Sequence, residues 1–253
     1  MSALPAVRRR LAPRQAGLAF WAGAIVTLVA LSPPLHALAD ASFAAHMVQH
    51  LLLILVAAPL LALGQPLGTL LRLLPRRRRR PVGAAYGSLL GRPAMRGLWR
   101  FLTGPLVSWT LHTVAVWAWH VPAVFEAALA SDAVHAVEHA CFLGTGVLYW
   151  WTLLREGSHR RHGYAVGVLS VFAMAMQGSA LGALITFSSV PWYPQYAASA
   201  AQLGLTPLED QQLAGLIMWV PAGFVYTAVA LAFFALWLRG EEAQERMEVR
   251  LPR

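Results

Sequence analysis

Lysine is absent from this 253-residue chain, and all twenty basic residues are arginine. Cysteine is almost absent too: Cys141 stands alone, which excludes a disulfide framework and any CxxC pair for copper or zinc. A soft-metal site would have to use other ligands. Charged residues make up only 12% of the chain against 58% hydrophobic, and the mean hydropathy is +0.54, values that exclude an ordinary soluble domain. Long stretches lack any cation, because arginine occurs only up to Arg14, from Arg72 to Arg100, from Arg155 to Arg161 and beyond Leu238. No internal repeat of fixed period is present.

What the chain does have is long apolar runs. A helix needs about 20 mostly apolar residues to cross a hydrocarbon core of roughly 30 Å. Six segments qualify, at approximately 17 to 36, 46 to 71, 101 to 120, 133 to 154, 163 to 187 and 212 to 238. Their short connections predict one all-α integral membrane helical bundle over residues 1–253. The arginines fall in alternate loops, so the positive-inside rule places both termini (tails 1–16 and 239–253) and loops 72–100 and 155–162 in the cytoplasm. Loops 37–45, 121–132 and 188–211 then lie outside. Arg8 to Arg10, an apolar run and "ALADA" at 37 to 41 also fit a cleaved signal peptide, whereas Ser32-Pro33-Pro34 suits the outer end of a retained helix.

This topology accounts for the net charge of +9 without a nucleic-acid partner. The run Arg76 to Arg80 beside a helix end sets orientation and meets anionic lipid head groups. Residues 82–100 read as a short interfacial helix, and the tail "RGEEAQERMEVRLPR" as a solvated end.

Histidine carries the chemistry. Six of the nine fall in or at the predicted helices: His46 and His50, His112 and His120, His135 and His139. "HMVQH" and "HAVEH" each place two imidazoles on one helix face. The topology brings five of the six to one outward layer, with His112 about 12 Å deeper at 1.5 Å per residue. A single intramembrane histidine reads as a helix-to-helix hydrogen bond, but six at one end point to a metal. Glu138 lies on the same face as His135 and His139 and reads as an acceptor that orients an imidazole, or as a ligand itself.

Met47 adjoins the first histidine pair, Met218 lies at a depth similar to His112, and Met174 and Met176 sit in mid-helix; a thioether ligand would favour Cu(I), while packing is the plainer role for all four. Trp192, Tyr193 and Tyr196 read as an interfacial aromatic belt. Asp210 reads as a helix cap, or as a carboxylate facing the histidines.

Three alternatives stay open on the residues alone. The H-x-x-E-H pattern of His135 to His139 also belongs to inverse zinc proteases, with Glu138 as general base. Paired histidines on neighbouring helices hold b-type haems. A metal-free assembly scaffold would use the histidines only to bond helices or sense pH.

The stretches "SPPLHALADASFAAHMVQHLLLILVAAPLLALGQPL", "WAWHVPAVFEAALASDAVHAVEHACFLGTGVLYWW" and "EDQQLAGLIMWVPAG" resemble motifs of the CtaG family of caa3-type cytochrome c oxidase assembly factors, over about residues 30 to 235. The resemblance implies a multi-pass protein of the bacterial plasma (inner) membrane that serves haem-copper oxidase maturation. It implies copper as cargo, oxidase subunits as partners, a periplasmic or extracellular copper donor, and no catalytic step. It marks His46, His50, Trp119, His120, Pro122, His135, Glu138, His139, Asp210, Gln211, Gly215 and Trp219. The chain has Ala58-Pro59 where members often carry a double proline, and six predicted helices where members are often drawn with seven. Single-helix copper chaperones with a cysteine-bearing soluble domain share the family name in some bacteria and form a different class.

Overall fold

A computed structural model describes residues 11–156 and 161–250. No strand occurs among the described residues. Helix α1 (Pro13–Ala30) ends before Ser32, and Pro33 and Pro34 open α2 (Pro33–Ala41) after a bend of 48°. Proline fits the first helical turn but cannot continue the preceding ladder, so the expected span 17 to 36 is a broken one. The next helix, α3, runs Phe43–Leu63 and stops at Gly64 and Gln65, with α4 (Pro66–Leu73) separate; the expected span 46 to 71 therefore starts earlier and ends sooner. The earlier start sets His46 one turn inside the helix.

Within α3, Leu52–Ala57 is π-helical. The cause is Pro59. It has no N–H and its ring would press on the carbonyl four residues back. Widening the turn moves the bond partners to five residues apart, as in Ala58 N–H to Leu53 O. The carbonyl that then lacks a donor is Ile54 O, and the buried Trp150 indole donates to it at 2.9 Å.

Helices α5 (Arg76–Gly91) and α6 (Pro93–Leu102) lie at the opposite end from the histidines. Arg72 donates to Pro13 O at the start of α1, while Gln49 donates to Ala30 O at its finish. The expected single interfacial helix over 82–100 is thus two helices, and the arginine run forms the first turns of one. The bundle continues with α7 (Pro105–Trp119), α8 (Pro122–Leu129), α9 (Asp132–Glu156), α10 (Arg161–Phe187), α11 (Ala197–Gln202) and α12 (Pro207–Arg250). Loops 37–45 and 121–132 thus carry the short helices α2 and α8. Part of loop 155–162 and both extreme tails lie outside the described residues.

Helices α10 and α12 form the longest antiparallel pair. Gly215 sits so close to α10 that a Cβ there would stand 2.7 Å from Gly182 O. Small residues let membrane helices approach in this way. By length and composition, Phe43–Leu63, Gly163–Phe187 and Pro207–Arg239 each suffice to cross a membrane, and α1 with α2 makes a fourth. The six apolar segments correspond to α1, α3, α7, α9, α10 and α12; α7, with 15 residues, rises only about 22 Å. Leu18, Leu28, Leu106, Phe187 and Phe224 are 71 to 77% exposed on the outside of the bundle. Such a surface suits lipid, not water. The protein is an all-α membrane bundle.

Candidate metal centre

The site begins with how α3 starts. Three free N–H groups open the helix, and each finds an acceptor. Ser42 Oγ accepts from Ala45 N at 3.3 Å, while Asp210 of α12 accepts from Phe43 N at 2.8 Å and Ala44 N at 3.1 Å, and also from Ser42 Oγ at 2.7 Å. Asp210 is fully buried. It caps a helix, as expected, but the helix is α3; its own helix is capped by a Thr206–Glu209 box, in which Thr206 N donates to Glu209 Oε2 and Glu209 N to Thr206 Oγ1. Gln211 ties the neighbouring loop down, accepting from Trp192 N and donating to Ile185 O and Val190 O.

One turn into the capped α3 lies His46, and a turn further His50. Across from them α9 presents His135, Glu138 and His139. His46, His135, Glu138 and His139 are all buried, and each offers a ligand atom within 4.8 Å of the others. Glu138 is the hub: its carboxyl oxygens lie 3.9 Å from His46 Nε2, 3.7 Å from His50 Nε2 and 3.9 Å from His135 Nε2. Those separations exceed hydrogen-bond length. They come close to the separation of about 3.4 Å between ligands set tetrahedrally around an ion at roughly 2.1 Å.

The polar atoms here have no partners of their own. Thirteen buried side-chain nitrogens and oxygens among the described residues lack a hydrogen bond, and seven belong to this group: His46 Nε2, both ring nitrogens of His50, His135 Nε2, both oxygens of Glu138 and His139 Nε2. Buried polar groups are ordinarily satisfied, so such a concentration has the form of a ligand set. The donors present, neutral imidazole and carboxylate, suit copper or zinc.

Tyr193 and Tyr196 correct an expectation. They are 3% and 2% exposed and pack with Phe43 and Phe125 over the histidines instead of forming an interfacial belt. Burial pushes both phenols up, so both hydroxyls keep their protons. Tyr193 donates to His120 O at 2.7 Å, and the Tyr196 hydroxyl meets His46 Nδ1 at 3.0 Å. Tyr196 fixes the imidazole orientation and leaves Nε2 aimed at the group. Nothing in the local sequence separates it from a belt tyrosine.

His120 lies beside this set, its ring 6.0 Å from that of His50. Its Nδ1 meets Val116 O at 2.6 Å, and a carbonyl only accepts, so that nitrogen carries the proton. A neutral ring with its proton on Nδ1 leaves Nε2 as an acceptor, 3.4 Å from Met47 Sδ. His112 is elsewhere. Its Nδ1 bonds Thr145 Oγ1 at 2.9 Å, and Thr145 spends its own proton on Cys141 O, so His112 donates. Thr145 is about 9 Å further along α9 than His139.

Of the supporting residues, Met218 is 9% exposed in the core, Trp119 packs against that core, and Trp219 presses on Gly182. Pro122 opens α8 as its first residue. Met174 accepts from Gln177, and Met176 is exposed on the bundle surface.

Beyond the six predicted histidines, His36 on α2 stacks on His135 with ring centres 5.0 Å apart. The "HALAD" spacing of His36 and Asp40 matches that of the two histidine pairs and is the sequence feature that marks it. Six of the eleven acidic residues, Asp40, Glu126, Asp132, Glu138, Glu209 and Asp210, lie at this end of the bundle, with no arginine there among the described residues. Such a field draws cations.

The profile of one protein family, described as cytochrome c oxidase caa3 assembly factor (Caa3_CtaG), matches residues 1–240. No significant match to a curated protein or to a solved structure was found.

Proposed function

The chain belongs to the cytochrome c oxidase caa3 assembly factor family, and from that premise we propose that it carries copper for the metallation of a haem-copper oxidase. The observation that carries this reading is the convergence of seven unpartnered buried atoms from His46, His50, His135, Glu138 and His139. The imidazoles bind the ion as neutral donors, and Glu138 offsets part of its charge in a low-dielectric site. With the His120 proton on Nδ1 alone, its Nε2 and Met47 Sδ, 3.4 Å apart, add a softer pair that favours Cu(I). Release needs no bond-making chemistry. Imidazole and thioether ligands exchange more readily than a closed thiolate cage.

In this reading the site faces outward from the bacterial plasma membrane, an orientation that the arginine-bearing alternate loops support, within reach of an extracytoplasmic copper donor. The exposed apolar flanks of the bundle suit contact with oxidase subunits inside the bilayer.

Other readings fit less well. A scaffold whose histidines bond helices would satisfy those nitrogens, yet they stand unpartnered. A haem needs one imidazole on each face of a porphyrin-sized slot, whereas His46 and His50 of α3 and His135 and His139 of α9 crowd against one another at one level, with neighbouring ring centres as close as 4.3 Å. A hydrolase base would face a substrate cleft, while Glu138 is fully buried among imidazoles.

The test is metal analysis of Glu138→Gln and His139→Ala in membranes, with oxidase activity measured alongside. Copper affinity should fall by more than the roughly 10- to 100-fold that loss of an outer partner brings, and oxidase activity should fall with it. Normal copper content in both variants would refute the site.

A further inference from the structure

The buried ligand set is closed on most sides, which raises the question of how an ion reaches it. Phe125 and Tyr196 lie against His46, Phe43 and Tyr193 pack around them, and Tyr193 bonds the carbonyl of the buried His120. One cavity of about 420 Å³ reaches the set from the side, lined by His36, Asp132, His135 and His139 together with Leu31 and Leu53. Of the buried ligands only His135 and His139 line it.

At that cavity a second group forms. The 48° bend at Ser32 turns α2 so that His36 and Asp40, one helical turn apart, face the first turn of α9. His36, Asp40 and His135 each offer a ligand atom within 4.8 Å of the others. The side chains of His36 and Asp40 are 40% and 54% exposed, while His135 is buried. His135 thus belongs to both groups. Its ring is stacked between two others, 5.0 Å from His36 at an interplanar angle of 28° and 5.0 Å from His46 at 23°. Three imidazoles form a ladder from a half-exposed ring to one fully buried.

We infer that His36, Asp40 and His135 form a second, exchangeable site for a d-block cation, Cu(I) or Zn(II), which loads the buried set through His135. The inference of loading rests on the copper-carrier reading. Asp40 and the exposed Asp132 attract the hydrated ion to the cavity. Its waters give way to His36, Asp40 and His135, and the bonds to His36 and Asp40 are then broken as bonds to His139, His46 and Glu138 form. The ion keeps its charge and oxidation state throughout, and His135 holds it during the exchange. Two ligands in contact with solvent make the outer site the weaker one, so the ion moves inward.

The experiment uses the full-length protein in nanodiscs, freed of metal and loaded with Cu(I) or Zn(II) from a chromophoric chelator. Stoichiometry at equilibrium and the loading rate are measured for the native chain, for His36→Ala with Asp40→Asn, and for Glu138→Gln. Both altered surface residues are partly exposed, and thermal unfolding checks that the fold is kept. Because His135 serves one ion at a time, the native chain should bind a single equivalent tightly, and the His36/Asp40 variant should keep that equivalent and load it about ten-fold more slowly or worse. Glu138→Gln should lose tight binding and hold its one equivalent weakly at the outer site, and should lose that as well when combined with His36→Ala and Asp40→Asn. If the native chain binds tightly and the His36/Asp40 variant matches it in rate and stoichiometry, the outer site is refuted while the buried one stands. If the native chain binds neither ion, both readings fall.

Discussion

Replacing Asp210 with Asn should destabilise the bundle far more than an isosteric change suggests. The carboxyl group uses both oxygens: one accepts from Ser42 Oγ and Ala44 N, the other from Phe43 N. An amide offers one oxygen. Whichever way it turns, its NH₂ faces a donor, and at least the Phe43 N–H is left buried and unpaired or the Ser42 and Ala44 bonds are lost. An unsatisfied buried donor costs about 1 to 3 kcal/mol, and loss of the negative charge at a helix N-terminus adds roughly 0.3 to 2 kcal/mol. A total of about 1.3 to 5 kcal/mol is expected by reversible unfolding in mixed micelles. Ser42→Ala keeps Asp210 on Phe43 and Ala44 and removes only the Ala45 cap and one hydroxyl, so about 1 kcal/mol is expected. The two changes share one network, and their double variant should cost less than the sum. An Asp210→Asn protein within about 0.5 kcal/mol of the native one would refute the account of how α3 starts.

Two further changes test other contacts. Tyr196→Phe removes the hydroxyl that orients His46 and should lower copper affinity about 10-fold with little loss of stability, measured by chelator competition; unchanged affinity would make the contact one of packing only. Trp150→Phe leaves Ile54 O without a donor and should cost about 1 to 3 kcal/mol, and adding Pro59→Ala should recover part of that by supplying a backbone N–H; additive losses in the pair would refute the cause given for the π-helical turn.

The sequence made the bundle and the histidine end legible because apolar length and the i, i+4 spacing are local quantities. HMVQH and HAVEH needed only helical geometry and alternating topology to be placed face to face. Tyr196 was hidden because its partner His46 is 150 residues away, and an aromatic in a loop beside a membrane helix has the composition of a belt residue. Asp210 was half legible: its capping chemistry is local, but the helix it caps depends on how α12 packs on α3. The Thr206-Pro-Leu-Glu209 box was readable as a helix start and would have moved that helix five residues earlier than the apolar run alone. Met47 reads as filler until the proton on His120 is assigned, which requires the Val116 carbonyl.

Asp210 also sets an order of events. A chain leaves the ribosome N-terminus first, so α3 with its two histidines enters the membrane well before α12 exists. His135, Glu138 and His139 follow on α9, and still the first N–H groups of α3 have no acceptor from Asp210, while Tyr196 is not yet made to hold His46. The five side chains of the buried group are therefore synthesised long before the groups that fix them. The finished geometry arrives only with the final insertion, and a nascent or truncated chain carries the same imidazoles without their alignment.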